Sequence, residues 1–199
     1  VPLLADAGVD ALALERIPRI SRAQAMDVLS SQAGLAGYRA VLEASVQARR
    51  FMPLMMTSAG TAKAARVIVL GVGVAGLQAI ATARRLGAQV EAYDVRPETR
   101  EQVLSLGAKF IDLDVGESGS GAGGYARELS AEAQARQQAQ LADRLAQADI
   151  IITTALIPGR RAPVLVTPEV VARLRPGSVI VDMAAAAGGN CPLTRADEV

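Results

Sequence analysis

Three glycines and one acid carry the clearest chemical signal in this chain of 199 residues. Gly71, Gly73 and Gly76 in VIVLGVGVAG (67–76) form G-x-G-x-x-G between an apolar run and a helix-forming run. In that pattern Gly71 allows a tight turn, Gly73 lets the backbone approach a pyrophosphate, and Gly76 lets the helix pack on the strand. The helix opening near Val74 presents free N–H groups and the positive end of its dipole to phosphates. Asp94 ends the next apolar run, eighteen residues past Gly76. A carboxylate there accepts hydrogen bonds from adenosine ribose hydroxyls and repels a 2′-phosphate. Arg96, beyond Val95, argues the other way, because a guanidinium suits a 2′-phosphate. Asp94 weighs more, since it occupies the ribose position itself. The expected cofactor is therefore NAD(H).

Composition excludes much else. The chain has no histidine, so histidine metal sites, histidine bases and Ser-His-Asp triads are impossible within it, and no metal site is expected. Net charge is +1 and aromatics are 3%, which gives no reason to expect nucleic acid. The single cysteine, Cys191, excludes an intrachain disulfide and argues for a reducing compartment. No apolar run reaches the roughly 20 residues of a membrane span, and VPLLADAGVD lacks a secretory pattern.

The elements that must position these residues read as follows. PLLADAG suggests a short helix and ALAL (11–14) a strand. Ser21 is the expected N-cap of a long helix reaching about Arg50, with Met26, Leu29, Ala33, Ala36, Ala40 and Ala44 on its apolar face. Its small residues Gly34, Ala36, Gly37 and Ala40 would admit another element very close. FMPLMMTSAGTAKAA (51–65) is a hairpin or an extended arm whose MPLMM run suits burial against a partner subunit. From residue 66 strands and helices alternate: strands at 66–72, 88–95, 108–115, 148–156 and 178–184, helices at 76–87, 97–107, 127–147 and 167–177. Thr167 and Pro168 suit N-cap and first-turn positions. Short, continuously apolar strands alternating with helices mean an α/β fold with a parallel sheet covered on both faces. The loop GESGSGAGGYARE (116–128) reads as a connector by composition, or more sharply as a lid with Tyr125 as its large contact residue.

GVGVAG, YDVR, SGSGAGGYA, TTALIPG and VDMAAAAGGNC, in this order and behind RISRAQAMDVLSS, closely resemble the NAD(H)-binding domain of proton-translocating nicotinamide nucleotide transhydrogenases. Alanine dehydrogenases are related. The resemblance covers essentially the whole chain. It implies a Rossmann-type doubly wound sheet in 66–199, a linking helix and arm in 21–65, and in 1–20 the tail of a second Rossmann-like lobe. It implies that Arg19, Gln24 and Asp27 position the nicotinamide and its ribose, with Arg22 and Ser30 beside the cofactor. Gly124 and Tyr125 match the family's lid, Ala155 and Leu156 the adenosine side, and Gln137 a residue reaching the cofactor. It further implies a homodimer, an NADP(H)-binding domain and a membrane domain as partners, and a place on the cytoplasmic side of a bacterial inner membrane. In alanine dehydrogenases the position of Ala186 carries a catalytic aspartate. Amino-acid oxidation needs a group that manages protons, whereas hydride transfer between two nicotinamides needs proximity, orientation and exclusion of water. A bare run of alanines, Ala184–Ala187, suits the second chemistry. An amino-acid dehydrogenase and a non-catalytic NAD-responsive module are the rival readings.

Overall fold

The computed structural model describes residues 2–14, 17, 20–121, 126–157, 159–195 and 198. Its elements are α1 (Pro2–Asp6), α2 (Val28–Gln47), β1 (Met55–Thr57), β2 (Gly60–Ala62), β3 (Arg66–Leu70), α3 (Val74–Arg85), β4 (Gln89–Tyr93), α4 (Thr99–Ser105), β5 (Lys109–Phe110), α5 (Ala131–Leu145), β6 (Ile150–Thr153), α6 (Pro168–Arg173) and β7 (Val179–Asp182). Strands β3 to β7 form one parallel sheet in the order β5-β4-β3-β6-β7. The order reverses between β3 and β6, and in such sheets ligands bind beyond the strand ends at that reversal.

The central strands are apolar over Val67–Leu70 of β3 and Ile150–Ile152 of β6, because both their faces are covered. Val67 and Val69 of β3 join Ala40, Val41 and Ala44 of α2 and Ala79, Ile80 and Ala83 of α3 in one core. Ile68 and Leu70, on the other face, pack with Leu141 and Leu145 of α5 and Val170 of α6. The chain is thus doubly wound, as its alternating pattern predicts. Thr167 caps α6 by accepting from Val170 N–H, and Pro168 opens that helix. The 51–65 connector is a hairpin, with Met55 opposite Ala62 and Thr57 opposite Gly60.

Five expectations need correction. No strand forms over 11–14. A lone strand leaves its N–H and C=O groups unpaired, and no described strand lies beside it to accept them. Ser21 does not cap the long helix; it opens a 3-10 turn, Ser21–Met26. Asp27 is the cap instead, accepting from Ser30 N–H at 2.9 Å, and α2 ends at Gln47. Aspartate and serine are comparable caps, so the start is set by which side chain reaches a free amide of α2, and that is Asp27. The buried stripe of α2 is Gly37, Ala40, Val41 and Ala44, while Met26, Leu29 and Ala36 are exposed. Finally, α5 begins at Ala131 behind its cap Ser130, and only Lys109–Phe110 of the 108–115 run pairs as strand.

Candidate functional site

The glycine turn leaves β3 at the sheet reversal and opens α3. Gly71 holds φ +96°, and a Cβ on it would stand 2.7 Å from Thr154 Oγ1. That hydroxyl donates to Gly71 O at 2.9 Å, tying the turn to the end of β6. A Cβ on Gly76 would lie 1.9 Å from Gly71 O, so α3 packs directly on the turn. A Cβ on Gly73 would meet nothing within 4 Å. Gly73 is also the N-cap of α3 and offers no side-chain cap, so the helix amides open into free space. The three glycines thus have three different local reasons, and of the three only Gly73 would carry a Cβ into open space.

That room is a cleft of about 670 Å³, within the range of small-molecule sites. Its floor is the glycine turn, from Gly71 to Ala75. One wall is the end of β4 (Tyr93 to Arg96) with Gln137 of α5, another is Thr154 to Ile157 with Arg161 to Leu165, and Leu29, Ser30 and Ala33 of α2 close the side. Helix α2 can reach so far because Gly37 lies on α3, where a Cβ would sit 2.1 Å from Ala75 O. This is the close approach that the small residues of the helix predict.

Of the expected site residues, Ser30, Gly71, Gly73, Val74, Asp94, Val95, Arg96, Gln137, Ala155 and Leu156 line the cleft. Gly76 stands behind the turn. Asp27 sits one step back: its carboxylate accepts from both the N–H and the hydroxyl of Ser30. Arg22 and Gln24 are exposed on the 3-10 turn and do not line the cleft. Arg19, Gly124 and Tyr125 lie outside the described residues.

Asp94 is buried, and its carboxylate is held from two sides. Val72 N–H donates to Oδ2 at 2.6 Å. Arg96 donates its backbone N–H to Oδ1 at 2.9 Å, Nε to Oδ1 at 2.8 Å and Nη2 to Oδ2 at 2.7 Å. This hydrogen-bonded pairing raises the Arg96 pKa, against the opposing effect of burial. Beside it, Gln137 Nε2 donates to the Tyr93 hydroxyl at 3.1 Å, joining α5 to β4 beneath the cleft. Burial pushes the Tyr93 pKa up, so the phenol stays neutral.

Sequence reasoning missed the groups that hold the far wall. Asn190 is fully buried. Its Oδ1 accepts from Ala155 N–H at 3.1 Å, and its Nδ2 donates to Ala155 O at 2.9 Å and Pro163 O at 2.8 Å. Asp182 in turn accepts from the N–H groups of Ala184, Asn190 and Cys191 and from the hydroxyls of Thr153 and Thr194. Both residues stand in VDMAAAAGGNC, but their partners are up to 35 residues away, and spacing along the chain gives no signal for them. The alanine run turns on this frame. Ala184 is buried and Ala186 is exposed, while Ala187 O accepts from Ala162 N–H at 2.9 Å. None of the four alanines lines the cleft.

Residues 40–199 match the family described as alanine dehydrogenase/PNT, C-terminal domain. The chain is 56% identical over 193 residues to the first of the parts that make up NAD(P) transhydrogenase subunit alpha in Rhodospirillum rubrum, covering 96% of this chain and 50% of that protein. It is 51% identical over 191 residues to NAD(P) transhydrogenase subunit alpha of Haemophilus influenzae, covering 96% of this chain and 37% of that protein. Among solved structures it is similar to the transhydrogenase of Sinorhizobium meliloti, with TM-score 0.86 and 53% identity over 99% of this chain and 53% of that one. An L-alanine dehydrogenase is more distant, with TM-score 0.72 and 25% identity over 98% of this chain and 50% of that one. The chain thus spans about half the length, or less, of the relatives it matches.

Proposed function

The chain belongs to the alanine dehydrogenase/PNT C-terminal domain family, and from that premise we propose that it is the NAD(H)-binding part of a transhydrogenase. The observation that carries the reading is the open space at Gly73 beside Asp94, at the sheet reversal. The residues present fit a dinucleotide: a Cβ-free cradle, unsatisfied helix amides and an acid at the ribose position. Bound NADH would supply a hydride to NADP⁺ held on a separate domain. The chain's own residues bind and orient. The amides from Gly73 to Ala75 hold the pyrophosphate, Asp94 the adenosine ribose, and Ala155 and Leu156 cover the adenosine side. The family resemblance would assign Arg19, Gln24 and Asp27, with Ser30 and Arg22, to the nicotinamide end and Gly124 and Tyr125 to a lid; of these Ser30 lines the cleft, Asp27 holds Ser30, and Arg22 and Gln24 stand exposed outside it. No group of the chain need take up a proton in a direct hydride transfer.

In the whole protein this transfer is coupled to proton translocation through a membrane domain, and the NAD(H)-binding part lies on the cytoplasmic side. Among the described residues no helix is long and apolar enough to cross a membrane. The assembly is a homodimer through α2 and the β1–β2 hairpin. An amino-acid dehydrogenase is the second reading, favoured by the family's name; Ala186 and the lower identity to an alanine dehydrogenase weigh against it.

Calorimetric titration with NADH and with NADPH at one salt and pH is the first test. NADH binding with little NADPH binding supports the reading, and hydride exchange on adding the NADP(H)-binding domain completes it. Binding of neither nucleotide refutes it. NADH oxidation dependent on pyruvate and ammonia would establish the dehydrogenase instead.

A further inference from the structure

Asp94 is the group on which this reading places the adenosine ribose, yet the chain already fills its acceptor positions. A carboxylate offers about four lone-pair sites. The backbone N–H groups of Val72 and Arg96 take two of them, and these donors are fixed by the turn. One edge of the Arg96 guanidinium, Nε and Nη2, takes the other two at 2.8 Å and 2.7 Å. The same Nη2 also donates to Val72 O at 3.1 Å, so the guanidinium lies across the turn itself. The two side chains are only 14% and 5% exposed. We propose that Arg96 is an internal stand-in for the ribose hydroxyls: a specificity-determining residue that must release Asp94 before a nucleotide binds.

The inference rests on the NAD(H)-binding reading above. A ribose diol and a guanidinium edge each present two donors to one carboxylate. Exchanging them conserves the number of hydrogen bonds at Asp94 but gives up the buried ion pair between its carboxylate and the guanidinium. Arg96 therefore lowers NADH affinity. Its effect on NADPH has the opposite sign. A 2′-phosphate brings no donor to Asp94, and the released guanidinium is then the one cation of the pair that can face it. Without Arg96, Asp94 meets the phosphate unscreened.

The test measures NADH and NADPH affinities by calorimetry, and NADH association rates by stopped-flow fluorescence, in the full-length protein and its Arg96→Ala, Arg96→Gln and Arg96→Lys variants. Thermal unfolding checks that each is folded. Arg96→Ala and Arg96→Gln should bind NADH about three- to tenfold more tightly, with faster association and weaker NADPH binding. Arg96→Lys keeps the charge without the fork and should fall between them and the parent. Unchanged or weaker NADH binding in a folded Arg96→Ala protein would make Arg96 a bystander or a direct ligand, and overturn the proposal. If Ala and Gln variants do not fold, Arg96→Lys decides: tighter NADH binding sustains the proposal, equal or weaker binding ends it. A parent that binds no NADH removes the functional reading and this inference together, whereas a failed variant series leaves the functional reading standing.

Discussion

A single methyl group separates the roles of the glycines. Gly73→Ala places its Cβ in open space on an extended backbone, φ −87° and ψ −166°. Stability should change by less than about 1 kcal/mol, while NADH affinity falls at least about tenfold because the methyl occupies the pyrophosphate's approach. Gly76→Ala drives the same methyl to 1.9 Å from Gly71 O and should cost about 3 kcal/mol or more of folding stability. Denaturant melts and calorimetry on the two variants check both halves; equal stability losses would contradict the assignment. Asp94→Asn keeps the shape and removes the charge. It should weaken NADH binding by about tenfold and bring NADPH closer in affinity. Gly71, Gly73, Gly76 and Asp94 were all legible, because a fingerprint of local spacing sets their environment. The state of Asp94 was not. Its engagement by Arg96 is a matter of side-chain placement, and the two residue types alone argue in opposite directions.

Between elements, the far wall of the cleft hangs on Asn190. One amide meets both the N–H and the C=O of Ala155 and also the carbonyl of Pro163. Asn190→Asp is nearly isosteric, but an ionised oxygen would then face two carbonyl oxygens. Burial, with the oxygen that replaces Nδ2 facing two carbonyls, raises the pKa of that carboxyl above the roughly 3.9 of an exposed aspartate. A raised folded-state pKa gives stability that is full at low pH and is lost as pH rises through the raised value. The variant should therefore melt lower than the parent at pH 8 and recover part of the difference near pH 5, where the protonated carboxyl donates to one carbonyl. A deficit independent of pH would mean that the amide's donors do not hold the wall. The start of α2 makes the companion point. Periodicity finds the helix, but the competition between Ser21 and Asp27 for the cap is settled by which carboxylate or hydroxyl reaches a free amide. Here Asp27 reaches Ser30.

Across the whole molecule, exposed apolar residues concentrate in the first 56 positions, among them Leu12, Leu35, Phe51 and Met56. Burying such residues in a partner is what a dimer through α2 and the hairpin would do. Sedimentation velocity should show a dimer of the full-length protein, and Met56→Glu, at a site 76% exposed in the single chain, should shift it toward monomer by about tenfold or more in dissociation constant. A dimer indifferent to that charge would place the interface elsewhere. The sequence by itself determined the alternation of strands and helices, the two-sided sheet, the glycine turn and the acid after β4, because each follows from periodicity or from spacing within one strand–turn–helix unit. It also carried the family resemblance. Only the tertiary structure decided that 11–14 forms no strand, that Asp27 rather than Ser21 caps α2, and that Gly37 brings α2 onto α3. It alone placed Thr154, Tyr93, Asp182 and Asn190 around the cleft. Those outcomes depend on which distant backbone groups are left needing a partner once the sheet has closed, and no local pattern encodes that demand.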